Sequence, residues 1–229
     1  MKIFVNSLTM LRVLATILLP IVWVYLDPIS ILIFVVAILS TDFFDGLLAR
    51  TFKVQTLFGA LLDQAADKAF GIIILLIIGR YEPLFYLVAI MEIVIALVNI
   101  GGGVKGATTN SSFLGKTKMW VMGLATTCAL ISIFDKQLYL TIDIQSIKDL
   151  LLKFMENKES IVFGFAFLTV GSQIMVALDY AKHIKGEVKD NKKKIVYNFK
   201  SEKELKKVLF DTEYYLKNKD LPVSKHLLK

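Results

Sequence analysis

The chain has 229 residues, 55% of them hydrophobic, with a mean hydropathy of +0.62 and a formal net charge of +7. That balance excludes a soluble globular domain and fits a polytopic membrane protein with one membrane unit and a tail. The lone Cys128 excludes an intramolecular disulfide. No small-residue cleavage site follows the first apolar run, so Met1 onward is expected to be mature protein with its first helix retained.

Six apolar stretches are long enough to be read as spans, at 8–26, 29–49, 57–78, 84–100, 119–134 and 161–180; a span takes about 17–25 residues. The first carries Asn6, Thr9 and Arg12 at one end, which reads as a polar cap with a snorkelling arginine. Asp27-Pro28 and the run from Gly79 to Pro83 break the chain between spans.

The second and third stretches hold Asp42, Asp45, Asp63 and Asp67 within otherwise lipid-grade sequence. Asp42 and Asp45 are three residues apart, and Asp63 and Asp67 four, so each pair shares one helix face. Residues 51–55 form a natural short connection that would set the two pairs facing each other. An Asp at a helix centre costs roughly 2.5–3.5 kcal/mol on insertion scales, against about −0.3 to −0.6 for an apolar residue. Such acids must therefore face a bundle interior or a wet cavity and be neutralised there. Arg50 and Lys68 are the nearby cations, too few for four acids. Divalent metal fits, since carboxylates are hard oxygen ligands for Mg²⁺ or Mn²⁺. Structural salt bridges and a transporter's proton pathway are the other readings the spacing allows.

Further along, Gly101–Gly103 would let backbone approach a ligand, or form a flexible loop. Gly115-Lys116-Thr117-Lys118 opens the fifth stretch. Lysines at a helix start oppose the helix dipole, which makes sense if they bind an anion such as a phosphate, or if they anchor topology. Segment 135–159 reads as a longer loop. Lys182, closing the sixth stretch, would add charge to a pocket or snorkel. The tail from Lys185 holds 13 of the 27 basic residues and 7 of the 20 acids, and so carries +6 of the +7. Arg50, Lys53, Lys105, Lys116, Lys118 and this tail share one side in a six-span arrangement, which the positive-inside rule makes cytoplasmic. Ser201-Glu-Lys-Glu204 is a capping-box signature. Leu205, Val208, Leu209 and Leu216 then fall near one face, as in an amphipathic helix on anionic lipid or a short solvated helix. The expected fold is an all-α bundle of six transmembrane helices over 1–184, with a basic cytoplasmic tail over 185–229.

The string from Asp42 to Asp67 matches D-x2-D-G-x2-A-R-x8-G-x3-D-x3-D and thereby resembles the CDP-alcohol phosphatidyltransferase family. The resemblance implies two divalent ions, Mg²⁺ or Mn²⁺, on Asp42, Asp45, Asp63 and Asp67. It makes Asp67 the general base and places Gly46, Ala49, Arg50 and Gly59 at the CDP group. Asn6-x2-Thr9-x2-Arg12 is similar to the N-terminus of bacterial members that make phosphatidylglycerol phosphate, which implies that Thr9 and Arg12 face the active-site cavity. Glycerol-phosphate members show a Gly-Lys-x-Lys-Thr element, matched here by Gly115 to Lys118 with Met119 in the final place. The expected acceptor site is therefore Thr9, Arg12, Lys116, Lys118 and Lys182.

The reaction this resemblance implies is transfer of a phosphatidyl group from CDP-diacylglycerol to sn-glycerol 3-phosphate in the bacterial cell membrane. The active site would face the cytoplasm, in a homodimer among membrane lipids with no nucleic-acid partner. Inositol phosphate, serine or phosphatidylglycerol as acceptor, and a transporter with a buried acidic site, are the alternatives.

Overall fold

The computed structural model describes residues 2–52, 55–104, 113–190 and 201–218, with the side chains of 2–6, 8, 39, 42–50, 103–104, 186–190, 202–203 and 207 outside that description. The described residues form eight helices and no strand: α1 Lys2–Tyr25, α2 Pro28–Thr51, α3 Leu57–Gly79, α4 Leu84–Val104, α5 Phe113–Thr141, α6 Gln145–Asp190, α7 Glu202–Phe210 and α8 Thr212–Asn218.

Local chemistry sets the helix starts. Asp27 precedes α2, and its carboxylate accepts the Ser30 hydroxyl at 2.6 Å and the Ser30 N–H at 3.0 Å, with Pro28 in the first helical position. The hydroxyl bond, then the backbone bond, hold the Asp27 carboxyl below its usual range. Thr56, in extended backbone, caps α3 by accepting the Gly59 N–H at 3.1 Å. At the other end of α3 a Cβ on Gly79 would lie 2.7 Å from the Tyr86 ring, so glycine there lets that ring pack against the start of the turn into α4.

Helix α1 packs on α2 and α3, α3 on α4, and both α4 and α5 on α6. The apolar core joins Leu19, Trp23, Ile31, Ile74, Ile78, Phe85, Val88, Ala129, Phe134 and Val162. Trp23 lies 5.3 Å from the Phe134 ring and donates its indole N–H to the Tyr81 hydroxyl at 3.1 Å. Along α3 this core occupies the half away from Asp63 and Asp67. Several hydroxyls within the helices are satisfied locally, as in Thr126, Thr127 and Thr169, which donate to carbonyls one turn back.

The outside is apolar. Met10, Leu14, Ile17, Ile21 and Val24 line an exposed stripe on α1, and Phe163, Phe167 and Leu178 are exposed on α6. Contiguous apolar surface of this kind belongs against lipid or protein rather than water. Among the described residues three helices are long and apolar enough to cross a membrane, over Leu84–Gly102, Phe113–Thr141 and Gln145–Lys185. Thr9–Tyr25 and Pro28–Ile38 are shorter apolar stretches, and α3 carries Asp63, Asp67 and Lys68 within its 23 residues. The chain is thus an all-helical membrane protein.

Two expectations are corrected. Segment 135–159 is helical: α5 continues to Thr141 and α6 begins at Gln145. One pair of the charges that suggested a loop is matched between the two helices, with Lys158 Nζ 2.6 Å from the buried Asp135 carboxylate. At 46 residues α6 is about 69 Å long at ~1.5 Å per residue, longer than the roughly 40–45 Å of a whole bilayer. The tail, moreover, is not one helix. Ser201 donates its N–H and hydroxyl to Glu204 at 2.8 and 2.9 Å, as a capping box directs. Asp211 then interrupts, accepting the Tyr214 N–H at 3.1 Å to start α8, so Leu216 belongs to a separate helix. Rather than facing only lipid or solvent, α7 packs on α3, with Val208 buried and the Phe210 ring 5.1 Å from Phe58.

Candidate active site

Asp63 and Asp67 lie one turn apart on α3, and both meet the same residue of α1. Arg12 is 2% exposed. Its guanidinium bonds the Asp63 carboxylate, reaches the Asp63 carbonyl oxygen at 3.5 Å and lies 3.4 Å from the Asp67 carboxylate. The snorkelling reading of Arg12 is therefore overturned: it points into the bundle because two acids there need its charge. Thr9, three residues earlier and on the same face, is also buried. The carboxylates of Asp63 and Asp67 stay 40% and 52% exposed. Neither carboxylate is enclosed in apolar packing.

Asp42, Asp45, Gly46, Ala49 and Arg50 occupy the last turns of α2, in helical backbone. Their side chains lie outside the described residues. Gly59 sits in the first turn of α3 with its N–H on the Thr56 cap. Among the described residues no three acids, histidines or cysteines converge. Among the described residues Asp63 and Asp67 offer hard oxygens, half-exposed and close enough to share one guanidinium, and that donor chemistry fits Mg²⁺ or Mn²⁺.

A second polar cluster lies next to the first. Glu92, buried near the middle of α4, accepts Lys118 Nζ at 2.7 and 2.9 Å, Lys68 Nζ at 2.9 Å and the Gln173 amide at 3.3 Å. Gln173 also donates to the Val88 carbonyl at 3.0 Å. Four helices, α3 to α6, meet on this one carboxylate. Lys68 was expected to neutralise the motif acids, and instead it neutralises Glu92. Successive helix residues point about 100° apart, so Asp67 and Lys68 cannot share a face, and Arg12 takes the expected place.

Beside this cluster is a cavity of about 180 Å³, lined by Lys68, Asn99, Gly115, Lys116, Lys118 and Tyr180, with Ile95, Met119 and Val176 as apolar walls. Two of the expected acceptor lysines, Lys116 and Lys118, are thereby brought together. Lys182 is not among the lining residues and is exposed on α6. Gly102 serves packing: a Cβ there would lie 2.5 Å from the Ile184 side chain, where α4 and α6 approach, while Gly101 faces open space. Sequence reasoning passed over Glu92, Asn99 and Gln173. The available signal was a lone acid and two amides within apolar runs, since such residues in a membrane helix mark partners or ligands.

Residues 2–155 match the CDP-alcohol phosphatidyltransferase family. Three curated bacterial relatives carry the name CDP-diacylglycerol–glycerol-3-phosphate 3-phosphatidyltransferase. The protein of Cereibacter sphaeroides is 43% identical over 82 residues, 34% of this chain and 37% of the relative. That of Pectobacterium atrosepticum is 48% identical over 63 residues, 28% of this chain and 33% of the relative. That of Wigglesworthia glossinidia brevipalpis is 35% identical over 124 residues, 49% of this chain and 64% of the relative. The matched stretch thus spans less than two thirds of each relative's length. No solved structure matches. The family match runs from α1, which carries Arg12, through both motif helices and the lysines of α5, into the start of α6, and on that evidence the chain belongs to the CDP-alcohol phosphatidyltransferase family.

Proposed function

We propose that this protein transfers a phosphatidyl group from CDP-diacylglycerol to sn-glycerol 3-phosphate, releasing CMP and forming phosphatidylglycerol phosphate. The observation that carries the reading is the juxtaposition on α3 of Asp63 and Asp67, held to Arg12, with Lys68, which lines a lysine-rich cavity. The name shared by the relatives supports the same pair of substrates.

Asp42, Asp45, Asp63 and Asp67 would hold two divalent ions, Mg²⁺ or Mn²⁺. With Arg12 and Arg50 as the arginines of the three motif helices, four acids leave a formal charge of −2 that divalent cations would balance. When bound, such ions supply charge neutralisation at the pyrophosphate. Gly46, Ala49, Arg50 and Gly59 would bind the CDP group, with small residues admitting the nucleotide and Arg50 offering a planar donor fork to phosphate. Lys116 and Lys118 would bind the acceptor phosphate, with Thr9 and Arg12 on the acid side and Lys182 adding long-range charge. Asp67 would take the proton of the acceptor's free hydroxyl. A bond then forms from that oxygen to the phosphorus bearing diacylglycerol, and the pyrophosphate bridge breaks with its electron pair leaving on CMP. Residues 1–184 would form a membrane unit of six spans in the bacterial cell membrane, with the site open to the cytoplasm and residues 185–229 a basic tail on that side. A homodimer among membrane lipids is the expected assembly.

The deciding experiment incubates purified protein with CDP-diacylglycerol and sn-glycerol 3-phosphate, inositol phosphate, serine or phosphatidylglycerol, and identifies the lipid product. CMP release with phosphatidylglycerol phosphate is the expected outcome; a different lipid reassigns the acceptor, and no CMP release from any acceptor sinks the reading. Excess chelator should abolish turnover and added Mg²⁺ or Mn²⁺ restore it, and Asp63→Ala should not be restored by either ion.

A further inference from the structure

The cavity beside Glu92 holds more chemistry than a phosphate needs. Among the described residues three lysines line it, Lys68, Lys116 and Lys118, and no carboxylate does. Lys68 and Lys118 are oriented by their bonds to Glu92, which lies behind them. With three cations against that one acid, the site has an excess of positive charge and suits an anion. Its volume of about 180 Å³ admits a small organic molecule.

Asn99 also lines this cavity, seven residues after Glu92 on the same face of α4. Its carboxamide oxygen is buried, and no protein donor reaches it. A buried acceptor left without a donor is costly, so such an atom beside a cavity marks where a ligand's O–H or N–H belongs. A lysine could donate to it, but Lys68 and Lys118 are held by Glu92 instead.

We propose that Asn99 is a specificity-determining residue of the acceptor pocket: its carboxamide oxygen accepts the hydrogen of the secondary hydroxyl of a three-carbon alcohol phosphate. The lysines bind the phosphate, Asn99 reads the middle hydroxyl, and the terminal hydroxyl is left to react. This rests on the glycerol 3-phosphate reading above. A site built to hydrogen-bond a hydroxyl discriminates strongly against an analogue that lacks it, because its own polar group is then left unpaired.

The test compares sn-glycerol 3-phosphate with 3-hydroxypropyl phosphate, which keeps the phosphate and the terminal hydroxyl but lacks the middle one. Each is used as acceptor for wild type, Asn99→Leu and Asn99→Asp in mixed micelles. Wild type is expected to prefer glycerol 3-phosphate by about tenfold or more in kcat/KM. Asn99→Leu should bring that ratio to within about twofold of unity by losing activity on glycerol 3-phosphate alone. Asn99→Asp keeps an accepting oxygen and adds negative charge near the phosphate, so both substrates should weaken while the preference survives. The ratio is internal to each preparation and is unaffected by a misfolded fraction; Asn99→Ala replaces the leucine variant if that fails to accumulate. A wild type that uses both acceptors equally, or a leucine or alanine variant that keeps the preference, overturns the role of Asn99 while leaving the acceptor reading intact. A wild type that makes lipid from neither phosphate overturns both.

Discussion

Asp67 and Asp63 share one guanidinium, yet their proposed duties differ, and single substitutions separate them. Asp67→Asn keeps the shape but cannot take a proton. It should lower turnover by about 10²- to 10⁴-fold, the usual contribution of a positioned base, while retaining CDP-diacylglycerol binding better than Asp63→Ala does. Measuring CMP release alongside equilibrium binding of labelled CDP-diacylglycerol checks both halves; turnover within a few-fold of wild type would remove Asp67 as the base. Glu92 makes the complementary case for stability. It is the counter-charge for Lys118, which is also buried, and partly for the half-exposed Lys68. Breaking a buried ion pair by removing one partner costs roughly 3–5 kcal/mol, whereas replacing both by apolar groups is often neutral. Glu92→Gln should therefore lower the thermal unfolding midpoint in detergent markedly. Glu92→Met combined with Lys118→Met should regain most of the loss, although it sacrifices the lysine of the cavity. A single variant as stable as wild type would show that the pair contributes little.

At the scale of elements, α7 is the part whose placement alters the expectations for its neighbours. It docks on α3 beside Phe58, next to the Thr56 cap and to Gly59, where the signature enters the bundle. The Phe58–Phe210 ring pair is worth about 0.5–1.5 kcal/mol beyond its buried area. Phe210→Ala should loosen the first turn of α3 rather than unfold the protein. Hydrogen exchange should show faster amide exchange around residues 58–62 with little change at 74–78, in the core half of α3. Equal protection in variant and wild type would mean that α7 lies on α3 without supporting it.

At the scale of the whole molecule, a polar end and an apolar end divide the bundle. The acids, Arg12 and the cavity lie towards the ends of α3 to α6 that carry Leu57, Val104, Phe113 and Asp190, the Glu92 cluster lies near mid-depth, and the apolar core lies towards the turn at Gly79 to Leu84. The α5–α6 hairpin turns at the opposite end from the site. Single cysteines placed in a Cys128→Ser background should separate the two sides. Asp143→Cys should react with a membrane-impermeant maleimide in intact cells, and Ser201→Cys only after the cells are opened. The reverse pattern would invert the proposed orientation.

How far the chain could be read from its residues depended on the range of the interactions involved. Apolar runs, the Asp27-Pro28 break, the Ser201–Glu204 cap and the motif spacing are local or periodic, so helix existence, that break, that cap and the common face of Asp63 and Asp67 were legible beforehand. Partner choice was not, because a sequence states which charges exist and leaves their geometry open. Arg12 lies 51 residues from Asp63, and nothing local says that it, rather than Lys68, meets the acids. The charges of segment 135–159 looked like loop chemistry until Asp135 met Lys158 across a helical hairpin. Glu92 and Asn99 stood as isolated polar residues in an apolar run, and only the packing of four helices made one a hub and the other the wall of a cavity. Composition, periodicity and a spaced signature thus determined the helical membrane character and the family. Tertiary structure alone decided which charges neutralise which, since burial in a low-dielectric interior makes each ion's partner a matter of three-dimensional proximity.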